Sequence, residues 1–175
     1  MTFLIYLLVV IIVMLIVNGL MQPKSFHVFR TIDIRAADKD IYPLIADLKN
    51  WDAWSPWAQK DPIMRKDYST PSTGNGAQYK WSGNKEVGRG QMTIVDTTQD
   101  KGVTLKLDIE APFEAHNVVD FSIDADAELS TVTWAMTGPQ NFFMRAMSFV
   151  FNMDRMVGRD FESGLLRLKQ LIEAS

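Results

Sequence analysis

The sequence contains no cysteine and only two histidines, His27 and His116. Disulfides and thiolate-bound metals are thereby excluded, and without a His-x-x-x-His pair no metal site is expected. Charge is also missing from the first 23 residues, so all 18 Lys+Arg and all 21 Asp+Glu fall beyond Pro23. The net charge of −3 offers no basic face to the phosphates of a nucleic acid. No Gly-x-Ser-x-Gly elbow occurs. Gly74-x-Gly76 and Gly88-x-Gly90 lie between or within strand-like segments and do not open a helix. They read as turns and bulges rather than phosphate cradles, and no cofactor is expected.

What stands where charge is absent is an apolar run, Phe3 to Met21, broken only by Asn18 and Gly19. Nineteen residues at about 1.5 Å each cover roughly 28 Å, close to the hydrocarbon thickness of a bilayer. Fourteen of them are Leu, Ile, Val or Phe, which favours insertion by about 4 to 8 kcal/mol, more than one Asn reverses. The alternative is a cleaved signal peptide. Against it, no Lys or Arg precedes the run and no small-x-small site follows it. Residues 1–23 are therefore expected to form a retained transmembrane anchor and residues 24–175 a single domain. Lys24, Arg30 and Arg35 follow the run. The positive-inside rule then places a single-pass protein in a bacterial-type inner membrane with its C-terminal domain in the cytoplasm.

The domain ends in the most regular segment of the chain. Met153, Val157, Phe161, Leu165, Leu168 and Ile172 recur at helical spacing, with Arg155, Arg159, Glu162, Arg167 and Lys169 mostly off that stripe. Nearly everything before it alternates as strands do. Phe26, Val28, Ile32 and Ile34 share one face of a first strand. Asp38 is placed to cap a helix carrying Ile41, Leu44, Ile45 and Leu48, which ends in an aromatic corner around Trp51, Trp54 and Trp57. Further strands run through Ile63–Tyr68, Ala77–Trp81, Gly88–Asp96, Val103–Glu110, Val119–Ile123 and Val132–Met136, separated by turn residues such as Asn84-Lys85. About seven strands with two or three helices predict the α+β class: a curved antiparallel sheet wrapped around the long terminal helix, with room for a cavity between them.

Two sets of residues carry candidate chemistry. Trp54, Trp57, Tyr79, Trp81, Met92, Trp134, Met136, Met153 and Val157 combine amphipathic aromatics, flexible thioethers and aliphatic bulk, a composition suited to an adaptable apolar pocket. Glu114 and His116, two apart on a strand, share a face and could act as acid and base, or equally form a solvated pair beside the turn at Pro112. Asp154 and Asp160, flanked by Arg155 and Arg159, read as helix caps and surface pairs. The run FFMRAMSFVF at 142–151 is too short to span a bilayer and carries only Arg145. It predicts either a helix packed beside the cavity or a mobile, membrane-touching element.

The order of elements, with NWDAWSPW at 50–57, GNKEVGRG at 83–90, PFEAHN at 112–117, TWAMTG at 133–138 and NMDRMVGRDF at 152–161, resembles the START-like or SRPBCC superfamily. Within it, the wording is similar to the bacterial branch labelled polyketide cyclase/dehydrase and lipid transport, from Phe26 to Ala174. The resemblance implies the helix-grip fold and a hydrophobic small-molecule or lipid ligand between sheet and terminal helix. Three functions stay open: a membrane-anchored binding module, a cyclase or dehydratase using Glu114 and His116, and a structural or partner-binding accessory.

Overall fold

A computed structural model describes residues 2–126, 129–148 and 152–174. The apolar run forms helix α1 (Thr2–Met21), exposed along its length except around Asn18 and Gly19. Seven strands follow: β1 (Ser25–Ile34), β2 (Arg65–Tyr68), β3 (Gln78–Ser82), β4 (Arg89–Thr98), β5 (Gly102–Ala111), β6 (Ala115–Asp126) and β7 (Leu129–Pro139). They make one antiparallel sheet in the order β1-β7-β6-β5-β4-β3-β2, so the first strand closes one edge against the last. The α+β helix-grip expectation holds.

Curvature has a local cause in β4, whose pairing with β5 shifts register at Arg89/Gly90 and again at Ile94/Asp96. Gly88 sits at a φ of +64° where a side chain would collide with the Ala111 carbonyl, so the first irregularity requires glycine. The reading of Gly88-x-Gly90 as a bulge is thus correct.

Between β1 and β2 the chain crosses the end of the sheet through α2 (Asp38–Ala46), a 3-10 turn (Leu48–Asn50), α3 (Trp51–Trp54) and α4 (Pro56–Lys60). Asp38 does not cap α2. Ala37 holds that position, and Asp38 and Asp40 lie inside the first turn, where carboxylates meet the positive end of the helix. The other end of α2 explains the aromatic corner. The indole N–H of Trp51 donates to the Ile45 carbonyl at 2.8 Å, and that of Trp54 to the Leu44 carbonyl at 2.9 Å. These are carbonyls that a helix end leaves unsatisfied.

After α5 (Phe142–Ala146), the terminal helix α6 (Met153–Glu173) lies along β1 and against α3. Asn152 caps it, its side chain accepting from the Arg155 N–H at 3.1 Å. Asp154 and Asp160 are therefore not caps. They pair with Arg30 on β1 at 2.7 Å and with Lys60 on α4 at 2.6 Å. Of the expected 142–151 segment, only Phe142–Ala146 is helical, Met147 and Ser148 turn, and the last three residues lie outside the described set.

Burial along α6 is uneven. Phe161, Leu165 and Leu168 are fully buried, while Met153 and Val157 are half-buried and Met156 is exposed. The Phe161 ring stacks on Trp134 at 4.2 Å and 10°, and Trp134 meets Phe121, Trp51 and Trp54 at 4.9 to 6.3 Å. The Trp134 indole N–H has no hydrogen-bond partner among the described residues. Burying so large a ring stabilises by about 4 to 6 kcal/mol, against about 1 to 3 for the unmet donor, so the ring wins.

Phe161→Ala is expected to destabilise the protein by about 3–5 kcal/mol. Denaturant unfolding of the detergent-solubilised chain, followed by tryptophan fluorescence, measures it; a loss under about 1 kcal/mol would contradict this packing.

Candidate functional site

A cavity of about 620 Å³ opens between the inner face of the sheet and the lifted N-terminal half of α6. Packed interiors hold few voids larger than a water molecule, so this is no packing defect. The volume equals about twenty waters at roughly 30 Å³ each and lies within the range of small-molecule sites.

The sheet's alternation puts every second side chain on this wall. Tyr79 and Trp81 come from β3, Met92 from β4, and Trp134 and Met136 from β7. Met153 and Val157 face them from α6, and Trp57 closes one end from α4. Eight of the nine expected pocket residues therefore line one space. Trp54 does not. It is fully buried beneath Trp51 and Trp134, with its indole N–H committed to Leu44, and belongs to the floor's support.

The stacked rings of Tyr68, Tyr79 and Trp81 form a continuous aromatic strip, of which Tyr79 and Trp81 line the cavity. Burial, reinforced by the Asp52 carboxylate, pushes both tyrosine hydroxyls well above their ordinary range. Tyr79 therefore stays protonated and cannot serve as a phenolate base. The Trp81 N–H is spent on the Val87 carbonyl at 2.9 Å, and the Tyr79 hydroxyl reaches only the Met64 sulfur at 3.9 Å.

The mouth lies where the β5–β6 turn (residues 112–114) approaches the segment around Asn141 and Met144 and the first turn of α6. Glu114 and His116 stand at this rim, but their side chains are 78% and 66% exposed. His116 Nδ1 lies 2.7 Å from Asp108 and Nε2 lies 3.3 Å from Glu114. These carboxylates, Asp108 foremost, raise the imidazole pKa above 6.5. Both residues are on the cavity lining, and with Asp108 they form a largely exposed charge cluster at its edge. Lys60, also on the lining, is held by Asp160. Among the described residues no three His, Asp or Glu converge as metal ligands.

Among the lining residues that the candidate set omitted, Asn117 is buried and polar. Asn117 follows Ala115 and precedes Val119 on the inner face of β6. It is 7% exposed, and its side-chain oxygen lies over Gly138 of β7, where any Cβ would strike it. The signal was available: stepping back by twos from Phe121 and Val119 arrives at Asn117 and puts His116 on the outer face of β6.

Comparison with known proteins fits this geometry. A family model described as polyketide cyclase / dehydrase and lipid transport matches residues 25–173. No curated protein matches the sequence. Among solved structures, protein MLL2253 from Mesorhizobium loti superposes with a TM-score of 0.61 at 14% identity, over 86% of this chain and 98% of its own. The Aha1 dimer from Colwellia psychrerythraea gives 0.58 at 16%, over 85% and 96%. A protein from Nitrosospira multiformis gives 0.63 at 12%, over 84% and 96%. At such identities the likeness is one of fold.

The His116 imidazole should titrate by NMR with a midpoint above 6.5, falling toward that value in Asp108→Asn. Because the folded pKa is raised, the tie to Asp108 is complete below about pH 6.5 and fades as pH climbs through the raised value. A midpoint unmoved by Asp108→Asn would refute the pairing.

Proposed function

The chain belongs to the polyketide cyclase / dehydrase and lipid transport family, and from that premise we propose that it is a membrane-anchored binding module for a hydrophobic small molecule, lipid-like or aromatic. The observation that carries the reading is the 620 Å³ cavity lined by aromatic, methionine and aliphatic side chains. Displacing water from such a surface favours any apolar guest by about 25 cal/mol per Å² buried, without demanding one shape. Thioethers such as Met92, Met136 and Met153 adjust to different outlines, which suits loose specificity.

Residues 1–23 are the anchor in this reading and 24–175 the binding domain. Helix α1, 20 residues at about 1.5 Å each, is some 30 Å long. Its last turn is tied to the domain rather than dangling from it. The Asn18 amide donates to the carbonyls of Arg145 and Ala146 at 3.2 and 3.0 Å and to the Ser148 hydroxyl at 3.1 Å. Gly19 lets the Phe142 ring approach, and Arg145 donates to the Gln22 carbonyl at 3.4 Å. A removed signal peptide would take these partners away from α5, which favours a retained helix. It also brings the bilayer to the cavity: Asn141 and Met144, beside this joint, line the mouth, and Phe113 and Met156 are exposed at the same rim. With Lys24, Arg30 and Arg35 following α1, the domain lies on the cytoplasmic side of an inner membrane.

Native mass spectrometry of the purified full-length chain is expected to detect a co-purifying hydrophobic molecule. Val157→Trp, which fills the cavity from α6, should reduce its occupancy at least tenfold. Equal occupancy in the variant would overturn the assignment of the cavity. For topology, an enzyme active only outside the cytoplasm, fused after Ser175, should be inactive, and the intact mass should retain α1. Activity of the fusion would reverse the orientation.

A further inference from the structure

Asn117 is the only polar side chain among the inward-facing residues of β6, which are otherwise Ala115, Val119, Phe121 and Ile123. Across the strands it faces Leu107 on β5 and lies over Gly138 on β7, near the Phe26 ring. The absence of a side chain at Gly138 is what makes room for the amide on this wall. No hydrogen bond to that amide is formed by any described residue, although it is nine-tenths buried and lines the cavity. A leucine would fill the same place without an unmet donor and acceptor, and packing alone gives no reason for asparagine.

Charges around the cavity restrict what such an amide could meet. Lys60 is neutralised by Asp160, and His116 is enclosed by Asp108 and Glu114. Glu86 and Glu114 add acidic groups to the lining, and among its described residues no unpaired cation accompanies them. An anionic carboxylate or phosphate inside the cavity would be desolvated against carboxylates, with no cation to receive it. An uncharged oxygen function suffers neither cost, and an amide can donate to a carbonyl or accept from a hydroxyl.

Resting on the cavity as a ligand site, we propose that Asn117 is its polar recognition point, binding an uncharged hydroxyl, ester or ketone of an otherwise hydrophobic ligand. Apolar bulk is accommodated loosely by the aromatic and methionine wall, while this single amide selects for an oxygen at one position. A site that must pair a buried polar group discriminates strongly against analogues that lack the matching one.

The test uses the full-length, detergent-solubilised chain and three probes of similar length: 1-monooleoylglycerol, oleate and octadecene, titrated by native mass spectrometry. The wild type should bind monooleoylglycerol about tenfold more tightly than octadecene and oleate. Asn117→Leu should remove that preference, with octadecene bound at least as tightly as by the wild type, and its thermal midpoint should equal or exceed that of the wild type. Asn117→Ala, which adds no atom to the wall, gives the same readout if leucine disturbs packing. Equal binding of monooleoylglycerol and octadecene by the wild type overturns the proposal, as does an undiminished preference in both variants or a preference for oleate. Failure of the cavity reading itself looks different: octadecene then does not bind at all, with or without Val157→Trp.

Discussion

The stack of Phe161 on Trp134 is the contact on which the rest of the structure depends. It fixes the middle of α6 to β7, the strand next to the β1 edge, and Leu165 and Leu168 continue the seal toward the C-terminus. A rigid helix of 21 residues, fixed there against a bent sheet, cannot follow the sheet's surface at both ends. Its N-terminal half stands off, and the gap beneath Met153 and Val157 is the cavity. Beside the cavity Arg30 on β1 bonds Asp154 at 2.7 Å and Glu162 at 2.6 Å, while Gly158 leaves space for the guanidinium. Exposed ion pairs of this kind contribute little to stability, so the burial of Phe161, Leu165 and Leu168 and not this pair holds the helix.

The two ends of the cavity differ because different forces build them. Its floor is aromatic and supported from behind: Trp54 and Trp51 are held by the carbonyls of α2, so the rings beneath Trp134 do not move aside for a guest. Its mouth is made of short segments, α5 with its five residues and the β5–β6 turn, joined to the body by few long-range contacts. Local opening is drawn from such weakly packed elements. The joint between Asn18 and α5 attaches the apolar helix to this soft end and not to the floor.

Much of this was legible in the sequence, and the misses have definite causes. Strand alternation and the α6 stripe report a burial period, and the period survives folding because one face of each element meets a common core. Spacing could not say that Trp54 would be core and Trp57 cavity, because that depends on which indole N–H reaches the end of α2. Glu114 and His116 differ for another reason: the phase of Val119 and Phe121 along β6 assigns His116 to its outer face, while Glu114 precedes the strand in the β5–β6 turn, where alternation gives no face. The distinct roles of Gly158 and Gly164, one against the Arg30 guanidinium and the other against Trp134 and Pro56, are long-range contacts that no local pattern contains.

That same phase argument separates selectivity from capacity. A wall of Trp, Tyr and Met yields affinity in proportion to buried area, and area hardly distinguishes one long apolar molecule from another. Discrimination has to come from a group whose satisfaction depends on the guest. Most polar groups of the wall are spent internally, as Trp81 is on Val87, or stand in water at the rim, as Glu114 does, and the unpartnered Trp134 N–H can only donate. Asn117 is neither, being buried on the inner face with its amide uncommitted. Capacity and selectivity therefore reside on different residues of a single sheet, so a substitution can alter one and leave the other intact.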